Sequence, residues 1–482
     1  MINYRPIARV VSILLLVVGG LMWTGIPFSA YFGEDLRPLL FAGLTALGLG
    51  GGLFFVRNPK GIPIRKREGY LIVVLSWLAM IFAGMLPYLY SGMIPTIPEA
   101  LFETVSGMTT TGASVLTDIE AQPKGILYWR SLTQWIGGMG IIVLTVAIFP
   151  LLGIGGIELF AAEAPGPTSD KLHPRISETA KRLWFIYVGL TALLGVLLVL
   201  FGMSPYEAIN HALTTMATGG FSTRNASAAA FSPSIQYLLV VFMFLAGVNY
   251  TILYLSFKRR WGEIWKSEEL KAYLGTVLLL TVIITAKVFY ATDAADFELA
   301  FRDSLFQVVS LITTTGFVSA DYTSWSTSLT LMFFVLLFLG ACAGSTSGGI
   351  KLIRHLVFFK NSYLEFKRIV HPSAIVPLRI NTDVVPGKII THVFNFLLLY
   401  LLLFVFGSVL LAMMGLDFMT AIGAMATSLG NVGPGIGDVG PVNNFAWIPS
   451  HIKIFLAFVM LIGRLEIFTV LVLFTPYFWR LN

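Results

Sequence analysis

Ser204-Pro205-Tyr206-Glu207, followed after ten residues by Thr218-Gly219-Gly220-Phe221, is one of four stretches in this chain that share a spacing. Glu207 stands thirteen positions ahead of Gly220, as Glu99 does ahead of Gly112, Asp303 ahead of Gly316 and Asp417 ahead of Gly430. Two positions before each glycine is a hydroxyl residue: Thr110, Thr218, Thr314 and Ser428. An internal repeat decides an architecture before any single motif does. Each stretch reads as a short helix. Ser204 to Glu207 is a capping box with proline at the first helical position, and a carboxylate in a first turn complements the positive helix end. Thirteen residues allow about three turns, or ~15–18 Å, roughly half a bilayer.

The composition says where such half-length helices belong. The chain has 482 residues, 56% hydrophobic and only 12% charged, with a mean hydropathy of +0.81. A soluble protein carries about 25% charged residues. Apolar runs of membrane-crossing length recur throughout. They predict ten crossings, near 7–27, 39–56, 69–90, 126–152, 183–203, 235–257, 272–291, 329–359, 389–414 and 452–477. The longest hydrophilic stretches, 159–182 and 360–388, are too short to fold alone. Cys342 is the single cysteine, so no internal disulfide forms, and its apolar setting reads as packing.

With the N-terminus inside, 24 of the 32 basic residues fall in intracellular segments, which sets the orientation and leaves both termini cytoplasmic. The net charge of +7 then marks topology rather than a nucleic-acid partner. Arg5 and Arg9 ahead of the first run, with Phe28-Ser29-Ala30 after it, also fit a signal peptide. The length of the run and the hydrophobic segment that follows favour a retained helix. All four acid-to-glycine stretches then face outward, each between an outward and an inward helix. The expected fold is an all-α polytopic membrane protein. Two N-terminal transmembrane helices (1–66) precede four helix–pore loop–helix units (67–160, 161–262, 263–372 and 373–482) around a pseudo-four-fold pore. Membrane lipid surrounds it.

The four terminal segments are Thr110-Thr111-Gly112-Ala113, Thr218-Gly219-Gly220-Phe221, Thr314-Thr315-Gly316-Phe317 and Ser428-Leu429-Gly430-Asn431. Glycine serves where the chain takes φ > 0 or approaches an ion without a Cβ. Non-helical backbone at this depth must be buried or line water. Taken singly, each Thr-Gly could simply end a helix. Four copies on one side of a membrane point to a shared ring of carbonyls that replaces the hydration shell of a monovalent cation. Spacing alone leaves sodium and potassium undistinguished.

Two features lie on the inner side. The eighth apolar run stops at Gly344-Ser345-Thr346-Ser347-Gly348-Gly349, a break that reads as a flexible constriction or as a packing kink. Arg464 sits mid-span, where a charge costs ~2.5–3.5 kcal/mol and faces an interior. It is either a positive barrier to cations or a structural bridge. Glu466, at i+2, is not on its helical face.

These residues resemble the Trk/Ktr/HKT superfamily of potassium transporters. The resemblance rests on Thr109 to Ala113, Gly219 to Thr223, Thr314 to Phe317, Gly344-Ser345-Thr346 with Gly348-Gly349, and Gly463-Arg464-Leu465-Glu466 ahead of Phe474-Thr475-Pro476. It covers nearly the whole chain, and the extra N-terminal helices favour the bacterial Trk branch. It implies potassium uptake through one pore per subunit, with K+ as the transported ion and no other cofactor. It also implies a bacterial inner-membrane location, a homodimer and a cytosolic TrkA-like nucleotide-binding regulatory ring. The filter would be the four segments, and the gate would be residues 344–349 with Arg464. Ser347 stands where the resemblance leads one to expect a glycine. A serine at the first-loop glycine accompanies sodium transport in this superfamily, so Gly112 implies potassium.

Two other classes remain. A sodium- or proton-coupled symporter needs an intramembrane relay. Glu103, His211 and Gln307 lie in the half-span helices, but no chain links them. A membrane-embedded enzyme needs a nucleophile, metal or acid–base pair. The sequence has no such motif, and that reading leaves the four-fold repeat unexplained.

Overall fold

The helices follow the apolar runs, and their ends follow the capping and glycine signals. A computed structural model of the chain describes residues 2–56, 65–143, 172–291 and 296–480. The N-terminal pair is α1 (Tyr4–Tyr31) and α2 (Arg37–Phe54), which pack closely on each other. Small residues permit this: a Cβ on Gly43 would lie 3.0 Å from the Gly19 carbonyl, and one on Gly50 would lie 3.0 Å from that of Ser12. Contact this close is a usual source of helix association in lipid. The Ser12 hydroxyl donates to that Gly50 carbonyl at 2.7 Å.

The first unit comprises α3 (Lys66–Ser91), the short α4 (Ile97–Met108) and α5 (Lys124–Val143). The second comprises α6 (Leu172–Leu200), the short α7 (Pro205–Met216) and the bent pair α8 (Pro233–Gly247) and α9 (Tyr250–Phe257). The third comprises α10 (Glu268–Ala291), α11 (Phe297–Ile312), α12 (Thr327–Leu336) and α13 (Leu352–Val370). The fourth comprises α14 (Gly387–Met413), the short α15 (Phe418–Gly430) and the bent pair α16 (Ser450–Arg464) and α17 (Ile467–Leu471). Among the described residues six helices are long and apolar enough to cross a membrane, and two bent pairs bring this to eight. The other two expected crossings correspond to α5 and to the interrupted α12 and α13. The chain is an all-α, multi-pass membrane protein, as the hydropathy requires. The inner end of the fourth span, the basic stretch 57–64 and the hydrophilic segment 159–171 lie outside the described residues.

Three inner helices break where a single span was expected. The sixth turns by 104° between α8 and α9, and the tenth turns by 114° after Arg464. In the eighth, helix is lost from Leu337 to Lys351, well before Gly344. The breaks in the sixth and tenth spans have a local cause. Asn249 caps α9 by accepting from the Thr251 amide. Glu466 takes φ +64°, a conformation that ends a helix. Among the described residues the one pair of strands is a two-residue antiparallel hairpin, Arg379–Ile380 with Asp383–Val384. Its Ile380 joins Leu378, Val385, Ile353, Val357, Ile389 and Val393 in a small separate core.

The units close on one another. α5 packs on α7, α8 packs on α11, and α16 of the last unit packs on α4 of the first.

Candidate functional site

α4, α7 and α11 each end in the same way. The residue after the C-cap takes the left-handed conformation: Thr110 at φ +54°, Thr218 at +54° and Thr314 at +56°. Two residues later Gly112, Gly220 and Gly316 have φ of +85°, +76° and +80°. A β-carbon is strained at such angles, which is why glycine stands there. The fit between units is as strict. A Cβ on Gly112 would lie 2.3 Å from the Gly219 carbonyl oxygen. One on Gly220 would lie 2.0 Å from the Thr315 oxygen, and one on Gly316 would lie 2.9 Å from the Gly433 nitrogen. A Cβ on Gly433 would lie 3.2 Å from the Gly112 oxygen. The four segments therefore form a closed ring in chain order, buried apart from Gly112, Gly220 and Gly316, which are partly exposed.

The fourth corner corrects the sequence expectation. Ser428, Leu429 and Gly430 do not leave the helix; they are its last turn. The left-handed residue is Asn431, at φ +53°, and Gly433 follows two positions later. The corner thus sits three residues further on than the shared spacing implied. Asparagine tolerates this conformation because its short polar side chain bonds locally. Its amide donates to the Thr111 hydroxyl at 3.1 Å and to the Met460 carbonyl at 2.9 Å. The acids differ too. Glu99 and Glu207 are the third residues of α4 and α7, but Asp303 is the seventh of α11, whose cap is Asp296. Asp417 is itself the cap of α15. Equal spacing concealed unequal helix positions.

The polar residues of the half-span helices occupy one register. Glu103, His211 and Gln307 each precede the left-handed residue by seven, and each braces the chain as it leaves the ring. Glu103 accepts from the Val115 amide at 2.8 Å and the Ser114 hydroxyl at 2.9 Å. His211 Nε2 is 3.0 Å from the Ser222 hydroxyl. Gln307 donates to the Ala320 carbonyl at 3.1 Å. Ala424 holds this place in α15. These are supports, and they form no relay.

Sequence reasoning missed two residues, both on α5. Arg130, within the fourth expected crossing, is buried and pairs with Glu103 at 2.7 Å. Gln134 donates to the Gly219 carbonyl at 2.6 Å and accepts from the Phe221 amide at 3.1 Å. The signal was present, since an arginine and a glutamine four apart in an apolar run share one helical face.

Beneath the ring lies the broken eighth span. The Gly348 amide donates to the Thr314 hydroxyl at 2.6 Å. A Cβ on Gly348 would lie 2.7 Å from the Gly430 oxygen. The Thr346 hydroxyl donates to the Met216 carbonyl, the last of α7, at 3.1 Å. Residues 344–349 therefore touch the third corner at Thr314, the fourth at Asn431 and the end of α7 at Met216. Lys351 binds the loop from its far end, at 3.0 Å from the Ser347 hydroxyl. Arg464 donates to the Thr346 carbonyl at 2.8 Å and to the Gly137 carbonyl at 3.4 Å. It ends α16 at the break, not in mid-helix. Glu466 pairs with Arg354 at 2.6 Å.

On the other face, Lys453 pairs with Glu99 at 2.9 Å and joins the fourth unit to the first. The Lys453 ammonium, then the Thr96 hydroxyl, hold the Glu99 carboxyl below the usual range. Arg224 bonds Glu207 at 2.6 Å and Glu120 at 3.4 Å. The site is thus a ring of backbone and hydroxyl oxygens, capped on one side by an irregular loop that a buried arginine holds.

Residues 40–480 match a family model described as TrkH, cation transport protein. The chain is 39% identical to the Trk system potassium uptake protein TrkH of Salmonella typhimurium, covering 99% of this chain and 100% of that one. It is 38% identical to the protein of the same name in Escherichia coli over the same shares. The crystal structure of the potassium transporter TrkH from Vibrio parahaemolyticus superposes with a TM-score of 0.90 at 37% identity, over 99% of this chain and all of that one. Fold and sequence agree, and the chain belongs to the TrkH family of cation transport proteins.

Proposed function

We propose that this chain takes up potassium ions through the ring, with backbone carbonyls replacing the water around a dehydrated ion. The filter is Thr110, Thr111 and Gly112, Thr218, Gly219 and Gly220, Thr314, Thr315 and Gly316, and Asn431, Val432 and Gly433. The observation that carries this reading is the closed ring of mutual approaches from Gly112 through Gly220 and Gly316 to Gly433. Four half-span helices direct their negative ends at it, which favours a cation. That relatives named as potassium uptake proteins align over the full chain supports potassium as the ion.

Residues 344–349 and Arg464 form the gate. The loop presses on the ring from one side, and Arg464 holds its Thr346 carbonyl. The relatives are named as parts of a Trk system, which fits a cytosolic nucleotide-binding ring acting on the basic inner segments of a homodimer. The plasma membrane, with both termini inside, is the setting that the charge asymmetry supports.

The test is potassium and sodium flux into liposomes that hold only this protein, with and without Gly112→Ser. The serine Cβ would meet the Gly219 carbonyl at 2.3 Å, so potassium preference must fall. Equal sodium and potassium flux in the unaltered protein would refute the proposal.

A further inference from the structure

The ring is not held alike at its four corners. Gln134 is fully buried on α5 and grips the second segment at two points, the Gly219 carbonyl at 2.6 Å and the Phe221 amide at 3.1 Å. These flank Gly220 on both sides. One helical turn earlier, Arg130 donates to the Ser222 carbonyl at 3.3 Å and lies 3.4 Å over the Phe221 ring. Through Glu103 it is tied to Ser114 and Val115 of the first segment. α5 thus carries side chains that fix the backbone on both sides of the boundary between corners one and two. Among the described residues, no side chain of α8, α12 or α16 bonds the backbone of the neighbouring corner in this way.

The consequence concerns one oxygen. The Gly219 carbonyl lies 2.3 Å from where a Cβ on Gly112 would sit, so it also sets the room available to the first corner. An amide donor at 2.6 Å fixes its direction. A Cβ on Gly219 would itself fall 2.3 Å from the Gln134 amide carbon, so carbonyl and side chain cannot slide past each other. Discriminating two alkali ions of slightly different radius requires oxygens that do not relax inward around the smaller one. Repulsion between neighbouring carbonyls resists that contraction, and a side-chain donor that fixes the direction of one of them adds to it.

Resting on the filter reading above, we propose that Gln134 is a specificity-determining positioning residue. It holds the Gly219 carbonyl so that the ring keeps the width that suits potassium and does not contract around sodium. Arg130 supports the same segment one turn away.

The test compares potassium and sodium uptake into liposomes by the purified full chain and by Gln134→Leu, Gln134→Glu and Gly112→Ser. Leucine removes both hydrogen bonds at similar volume. Glutamate keeps the acceptor for the Phe221 amide but loses the donor to Gly219. Both Gln134 variants are expected to lower the potassium-to-sodium ratio by about fivefold or more, the weight of one net hydrogen bond. Either variant, recovered folded with an unchanged ratio, overturns the proposal. Failure of both to fold also overturns it, because Gln134 would then be a packing residue. If Gly112→Ser shifts the ratio and the Gln134 variants do not, only this inference falls. If Gly112→Ser leaves it unchanged, the filter reading itself falls.

Discussion

Arg464 Nη1 donates to the Thr346 carbonyl oxygen at 2.8 Å. This bond joins the last residue of a half-helix in the fourth unit to the middle of the irregular loop in the third. The second guanidinium arm reaches the Gly137 carbonyl of the first unit, while Nε has no hydrogen-bond partner. A buried, incompletely satisfied arginine that spans three units is costly to keep. In the proposed gate that cost has a use, because a group that holds the loop shut would also repel the cation.

Arg464→Ala removes both the charge and the bond to Thr346. Potassium flux in liposomes should rise by roughly tenfold, the equivalent of about 1.4 kcal/mol of barrier. Its dependence on voltage should weaken. Unchanged flux and voltage dependence would mean that Arg464 only bridges helices.

The fourth corner can be placed by substitution. A Cβ on Gly433 would crowd the Gly112 carbonyl at 3.2 Å, whereas one on Gly430 would face the Leu337 carbonyl at 2.9 Å, away from the ring. Gly433→Ala should lower the potassium-to-sodium flux ratio. Gly430→Ala should lower the thermal midpoint in detergent and leave that ratio alone. The reverse pattern would restore Ser428 to Gly430 as the corner.

Breaking the Glu103–Arg130 pair leaves a buried charge without its partner. Arg130→Met should destabilise the protein by about 3–5 kcal/mol, and Glu103→Gln with Arg130→Met should recover part of that. Thermal unfolding in detergent measures both. A double variant no more stable than Arg130→Met would show that the pair is not the source of the loss.

Acid should loosen the junction of first and fourth units. The Glu99 carboxyl is held below its ordinary value of 4.5, chiefly by the Lys453 ammonium. A lowered carboxyl stabilises the fold above the ordinary value, and that contribution is lost as pH falls through the lowered one. The melting temperature should therefore drop on acidification below about 4.5, and it should drop less in Glu99→Gln. Parallel pH profiles for the two proteins would remove Glu99 from this account.

Much of the molecule was legible in the chain. Apolar runs marked the crossings, because burying backbone in lipid forces helices of a set length. Thr110, Gly112, Thr218, Gly220, Thr314 and Gly316 were readable because left-handed backbone selects few residue types. Asn431 misled because asparagine meets the same demand with different chemistry, and a Thr/Ser-x-Gly pattern does not include it. Arg130 was not singled out because its partner Glu103 is 27 residues away. The breaks at Asn249 and Glu466 were invisible because neither residue is a strong helix breaker by itself.

By itself the sequence determined the spans and the places where the chain turns left-handed at Thr110, Thr218 and Thr314, since these depend on local demands of bilayer and backbone. Only the tertiary structure decided the rest: the register of the fourth corner, the grip of Gln134 on Gly219 and the meeting of Arg464 with Thr346. Those depend on which surfaces are brought together by packing, and hydrogen bonds between residues up to 354 positions apart leave no local trace.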